Sequence, residues 1–355
     1  MLLGLNFDKS NPYSNLLEEI FNIIDSRRIQ QIIASNGIKP LDKFNFSLKV
    51  FFISQFFNLK TSYVIDEINK KPEVKSFFKV KTVLSVSQVT ELIGRFSAET
   101  IEKTMNIILN YLNKNNRVKS HTYLLDATPL DVDYNFDSKK ITKKNLENKD
   151  PKWGHGTSIG FYIGFKGTFV LDYNTMMPVL FIIHPGSPHD SQIFPQVLEQ
   201  MKKHHLLHHN DKILADRGYY SYENYEIGLK KYHIQPLILT KSNFNIEKLN
   251  SALTCPLEYF RENKKDKENK IKFIKLSNSF CKNILKRKRI KYVRSHIEDF
   301  FKFLKEGLNL KHFHKYTTES VKKTTLWTVL LAVLIINEGY KTKTDLQMLS
   351  EGRII

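Results

Sequence analysis

The chain has 355 residues, room for two domains of ~150 residues each, and it is 41% hydrophobic and 26% charged, as expected of a globular protein with a sizeable core. Lys and Arg number 55 against 36 Asp and Glu, a net charge of +19, so a polyanionic partner is expected: nucleic acid first, an anionic membrane surface second. The longest apolar run, Leu326–Ile336, is far too short to span a bilayer, the amino terminus has no signal-like segment, and two cysteines, Cys255 and Cys281, support neither a disulfide framework nor a Cys-based zinc site; an intracellular, cytoplasmic setting is expected.

Residues 1 to 118 read as helical. "SNLLEEIFNIIDSRRIQQIIAS" and "FSLKVFFISQFFNLKTSYVIDEINK" recur apolar at i, i+3 and i+4, and a third such stretch, "SVSQVTELIGRFSAETIEKTMNIILNYL", has Ser85 or Ser87 as its N-cap. Helices separated by "KKPEVKSFFKV" suit a helix-turn-helix-like DNA-binding unit, and equally a helical bundle of no special function.

The pattern changes at residue 121. "HTYLLDATPL" reads as a strand interrupted by an acid, followed by an exposed lysine-rich loop, "DSKKITKKNLENKDPKWGHG". "SIGFYIGF" and "TFVLDYNTMMPVLFIIHPG" are rich in aromatic and β-branched residues and predict two or three strands. "HDSQIFPQVLEQMKKHH" predicts a helix capped by Asp190 or Ser191. Then come a strand ending in an acid, "KILADRGYY", a helix, "SYENYEIGLKKY", and a strand, "IQPLILT". This order predicts a mixed sheet covered by helices. From Lys241 to Lys288 the chain is rich in Lys and Asn, and reads as a basic insertion or a long basic loop. The histidines of "HHLLHH", His204–His209, raise a zinc option, but their place at a basic helix end favours surface residues. There is no internal repeat.

After the basic segment, "YVRSHIEDFFKFLK" predicts a helix. With Arg294 set at zero, ~100° per residue puts Glu298 at ~40° and Lys305 at ~20°. Ile297, Phe300, Phe301, Leu304 and Leu308 share the buried stripe, while Asp299, at ~140°, points to water. An i,i+4 Arg–Glu pair on a surface helix explains Arg294 and Glu298 equally well. Acidic partners elsewhere would make Glu298 part of a site. Asp126 sits inside an apolar strand, on the face of Thr128 by period two, where an unpaired dry acid costs several kcal/mol. Asp131 and Asp133 lie beyond Pro129, nearer the loop. Asp216 ends the "KILA" strand before a glycine turn. Asp172, near a strand end, and Asp190, a helix cap, are weaker candidates. Singly, each acid also fits a structural role.

In order, these stretches resemble the DDE transposases, in particular the insertion-sequence-four group with a ribonuclease H-like core. "LLDATPL" is similar to the first-strand motif with Asp126, and "ADRGYYS" to the second with Asp216. "RSHIEDFFKFLK" resembles the Tyr-Arg-Glu-Lys signature, with Arg294, Glu298 and Lys305 at its spacing. Tyr292 is one residue too close, and Lys291 holds the expected place of the tyrosine. "HPGSPHDS" resembles the loop before the first core helix. The resemblance covers residues 120 to 340. It implies an α/β fold with a ribonuclease H-like mixed sheet flanked by helices, divided into a helical N-terminal domain (1–118), a catalytic domain (119–340) and a tail (341–355). It implies Asp126, Asp216 and Glu298 as catalytic residues holding Mg²⁺ or Mn²⁺, two ions in all, for in-line phosphoryl displacement. Arg294, Lys305, Arg217 and Lys291 are then contacts to double-stranded DNA. The implied reaction is cleavage at insertion-sequence ends and strand transfer into target DNA, by a homodimer in a nucleoid-associated setting. A DNA-binding protein without catalysis, and a nuclease of the same fold, are the alternatives.

Overall fold

Three short apolar runs, TYLL, KILA and QPLI, form the parallel part of the sheet, because strands buried on both faces need no polar alternation. The computed structural model describes residues 12–80, 82–115, 121–132, 150–156, 160–186, 188–241, 244–261, 263–311, 313, 315–340, 342, 344–345 and 348–349, without the side chains of 12, 113–115 and 287–292. Two compact units emerge. One is formed by Met1–Arg117, Asp131–Asp150 and Phe300–Ile355, the other by Val118–Leu130 and Pro151–Asp299.

The second unit holds the sheet. Its strands are β1 (Thr122–Asp131), β2 (Lys152–Gly156), β3 (Gly160–Asp172), β4 (Pro178–Pro185), β5 (Lys212–Ala215) and β6 (Gln235–Ile238), in the order β2-β3-β1-β5-β6 with β4 also on β3. β2 and β4 are antiparallel to successive halves of the long β3. β1, β5 and β6 run parallel, with Thr122 opposite Lys212 and Leu125 opposite Ala215. Helix α8 (Asp190–Lys203) follows β4 and buries Ile193, Phe194, Val197, Leu198 and Met201. A short helix α9 (Tyr222–Glu226) connects β5 to β6, and Tyr225 is tied by its hydroxyl to the Ile238 carbonyl. This is the mixed, helix-flanked sheet of a ribonuclease H-like core.

Two local readings need correction. The cap of α8 is His189, whose Nδ1 accepts from the Ser191 amide at 3.3 Å. Asp190 is instead drawn into an ion pair with Lys166 at 2.5 Å, so its carboxylate is not spent on the helix end. The Lys- and Asn-rich segment is no long loop, since it carries the turn α10 (Asn250–Leu253) and the 21-residue helix α11 (Lys264–Ile284). Phe273, Leu276, Phe280 and Ile284 give α11 a buried stripe, and its lysines occupy the other faces. Of the lysine-rich loop expected over 137–156, residues 137–149 lie outside the described residues, and Lys152–Gly156 is β2.

The first unit contains helices α1 (Pro12–Asp25), α2 (Arg27–Ser35), α3 (Leu41–Phe56), α4 (Thr61–Lys70), α5 (Pro72–Phe78), α6 (Val86–Arg95) and α7 (Ala98–Asn115). Ser85 caps α6 in a reciprocal box with Gln88. Two helices follow the basic segment: α12 (Arg287–Lys302), and α13 (Thr318–Asn337), which carries the long apolar run. α13 packs on α7, pinned by Glu319 accepting from the Ala98 amide at 2.7 Å and by Lys322 on Glu102 at 2.6 Å. The buried Trp327 ring meets Phe44 at 5.6 Å, and Phe44 meets Phe96 at the same distance. No helix among the described residues is long and apolar enough to cross a membrane.

Trp327→Ala should therefore empty the centre of the helical unit and lower unfolding free energy by ~3–5 kcal/mol in a denaturant melt. A loss below ~1 kcal/mol would show that this ring does not anchor α13.

Candidate active site

The β1–β5 pairing ends at Leu125 opposite Ala215. The next residue on each strand is an acid: Asp126 on β1, and Asp216 where the chain turns into a single 3₁₀ turn, Arg217–Tyr219. Two carboxylates are thus brought side by side by strand register alone. The third comes from α12. Its stripe is buried as the helical wheel requires, with Ile297, Phe300 and Phe301 in the helix and Leu304 and Leu308 beyond it all in the core. Tyr173, just past β3, packs its ring edge on His296 at 6.2 Å.

Arg294 is the hub. Its guanidinium contacts Asp126 Oδ2 at 2.6 Å, Glu298 Oε1 at 2.5 Å and, through Nε, Asp216 Oδ1 at 4.0 Å. The sequence reading makes Arg294 a phosphate contact; in the fold it is sunk among carboxylates, with 14% of its side chain exposed. Exposure rises across the acids, from 15% for Asp126 to 41% for Asp216 and 57% for Glu298. The cluster is closed at β1 and open at α12.

Burial pushes the Asp126 carboxyl up to about 7, with the negative charges of Asp216 and Asp190 adding to the effect and Arg294 and the Ala127 amide opposing it. The Ala127 amide donates to Asp126 Oδ1 at 2.8 Å. For Arg294, burial works against the charge, but Asp126, Asp216 and Glu298 together raise its affinity for the proton.

Two residues not read as site residues from sequence frame this cluster. Lys166 on β3 neutralises Asp190 at the start of α8, and Gly218 lies under Asp190, so that a Cβ there would meet Asp190 Oδ2 at 2.7 Å. Gly218 had a signal only in "DRGYY", with no hint that it meets Asp190 of "HPGSPHDS", and Lys166 had none. Asp172 instead closes a turn, accepting from the amides of Asn174 and Thr175 and from the Thr175 hydroxyl.

The remaining expected contacts fall in different places. Arg217 is exposed beside Asp216. Asp299 is half-buried while Glu298 is the more exposed of the adjacent pair, the reverse of the wheel's expectation for Asp299. Lys305 lies inside a turn in which the Leu308 amide bonds the Phe303 carbonyl, an i→i+5 closure. That wider turn re-phases the chain after Lys302, so 100° per residue no longer gives the azimuth of Lys305. Lys305 is half-buried, and burial lowers its amine while Asp131 opposes this. The side chains of Lys291 and Tyr292, like Asp133, lie outside the described residues.

Three carboxylates from three elements, gathered around one positive group, form a hard all-oxygen donor set of the kind that suits Mg²⁺ or Mn²⁺. A family model described as "Transposase DDE domain" matches residues 119–335, more than half of the chain. No curated protein and no solved structure matches it.

The Asp126 shift has a definite sign. Its folded pKa of about 7 lies above the ~3.9 of an unfolded Asp. Its stabilising contribution is therefore complete below the unfolded value and is lost as pH rises through 7. In chelator, Asp126→Asn should melt later than wild type at about pH 8 and no later at about pH 4. Parallel profiles for the two proteins would contradict the buried, proton-holding carboxyl.

Proposed function

The chain belongs to the DDE transposase family, and from that premise we propose that it is a metal-dependent transposase that cleaves DNA at insertion-sequence ends and transfers the freed strand into target DNA. Asp126, Asp216 and Glu298 are its catalytic carboxylates. The observation that carries this reading is their convergence on Arg294, since each comes from a different element. The sheet order and the helical N-terminal region support it.

Asp126, Asp216 and Glu298 would hold two Mg²⁺ or Mn²⁺ ions. When bound, these supply charge stabilisation for the attacking and leaving oxygens of an in-line displacement. The chain's own residues do the rest. β1 and β5 hold two carboxylates at a spacing set by backbone pairing, so their positions cost no reorganisation at the moment of reaction. Arg294 keeps three like charges together that would otherwise repel one another. Its planar fork also fits a phosphate, so it is the group that can exchange a carboxylate for the DNA backbone. Lys166 holds Asp190 in an ion pair beside the cluster. Arg217, exposed next to Asp216, and the half-buried Lys305 are further phosphate contacts in this reading, as is Lys291.

The net charge of +19 supports DNA as partner, with one transposon end bound by each copy of a homodimer in a nucleoid-associated setting. The helices of 1–118 are the proposed reader of the end sequence.

Asp126→Asn, Asp216→Asn and Glu298→Gln should each abolish Mg²⁺-dependent cleavage of an end-bearing duplex while DNA affinity stays within a few-fold of wild type. Asp299→Asn should keep most of the cleavage activity. A dead Asp299→Asn beside an active Glu298→Gln would displace Glu298 from the site. Affinity for duplex DNA should also fall steeply with salt, the log–log slope being about −0.9 per phosphate contact. A flat salt dependence would remove nucleic acid as the partner.

A further inference from the structure

The strands that carry Asp126 and Asp216 carry a second cluster at their other ends. His121 immediately precedes β1 and Asp211 immediately precedes β5, outside the first pair of the ladder, Thr122 opposite Lys212. His208 joins them from a tight turn in which the Asp211 amide bonds the His208 carbonyl at 3.2 Å. One ligand atom from each of the three residues lies within 4.8 Å of the others.

We infer that His121, His208 and Asp211 form a site for one borderline divalent transition metal, Zn²⁺ as the type case, that clamps the N-terminal ends of β1 and β5. Four observations support it. The donor set is two imidazoles and one carboxylate, which suits Zn²⁺ rather than Mg²⁺. The Asp211 side chain is wholly inaccessible while its histidines are 72% and 51% exposed, so a buried anion faces two ligands that a metal can reach from solvent. The carboxylate is already aimed: His121 Nδ1 is 2.7 Å from Oδ1, His208 Nδ1 is 3.6 Å from Oδ2, and the His208 amide donates to Oδ2 at 2.7 Å. Tetrahedral bonds of ~2.0–2.2 Å put ligand atoms ~3.3 Å apart, so ligand atoms within 4.8 Å of one another need close by at most ~1.5 Å.

The backbone is also fixed. The Lys212 amide bonds the His121 carbonyl at 2.8 Å, and the Gln235 amide bonds the Asp211 carbonyl at 2.7 Å. Water completes the coordination on the exposed side. Asp126 lies five residues after His121, and Asp216 five after Asp211. At ~3.3 Å per residue, a cation at the first cluster is ~16 Å from the acids. It therefore takes no part in phosphoryl chemistry, and its role is to hold the register that sets Asp126 beside Asp216.

The test uses the full chain without a histidine tag, stripped with chelator and titrated with Zn²⁺ by calorimetry and with Co²⁺ by visible absorption. Wild type and Asp126→Asn should share one tight Zn²⁺ site of equal affinity and both show the intense bands of tetrahedral Co²⁺. His121→Ala and His208→Ala should weaken Zn²⁺ at least ~10-fold and lose the bands. Zn²⁺ should raise the melting temperature of wild type but not of the variant that combines His121→Ala with His208→Ala. His208→Gln, which keeps the turn and a polar side chain, controls for misfolding and should also lose the bands. No Zn²⁺ uptake by wild type at micromolar concentration, or uptake unchanged in both histidine variants, would overturn the inference.

Discussion

A single guanidinium sets the chemistry of this molecule. Arg294 lies within ion-pair distance of Asp126, Asp216 and Glu298, which come from a strand, a strand end and a helix. Without a positive centre, three carboxylates crowded together repel one another and take up protons. Asp126 already shows the strain, held up at about 7 by burial although Arg294 pulls the other way. An acid so placed is poorly explained by stability, since a buried ion pair is often no better than an apolar replacement. It is well explained by a function that needs charge at that point.

The second constraint is the parallel pairing of β1 with β5. Four residue pairs, Thr122–Lys212 to Leu125–Ala215, put Asp126 and Asp216 next to each other at one end and His121 and Asp211 at the other. The apolar runs of these strands end where the ladder ends, so the residues just outside it are the polar ones. The fold thus hangs two charged clusters on the two ends of one strand pair.

Much of this was legible in the chain. Asp126 stands out as an acid in an apolar strand, Asp216 as an acid before a glycine turn, and Ile297, Phe300, Phe301, Leu304 and Leu308 as a stripe at helical spacing. All three signals are local and periodic. What escaped is non-local or depends on competition between partners. Arg294 reads as one half of an i,i+4 pair until β1 is brought against it. Asp190 reads as a helix cap until Lys166 claims it. The azimuth of Lys305 fails because one wider turn after Lys302 breaks the 100° rule. Lysines in "RENKKDKENK" hide the buried stripe of α11, which begins only at Phe273. His121 carries no signal at all, since its partners lie some ninety residues away.

The central claim, that Glu298 completes one metal site with Asp126 and Asp216, is tested most directly by Mn²⁺ binding followed by electron paramagnetic resonance. Glu298 is the most exposed of the three acids, so its substitution disturbs the fold least. At Mn²⁺ concentrations that saturate wild type, Glu298→Gln should leave most of the ion free in solution, and adding Asp126→Asn should weaken binding little further. Mn²⁺ affinity in Glu298→Gln equal to that of wild type would contradict the account.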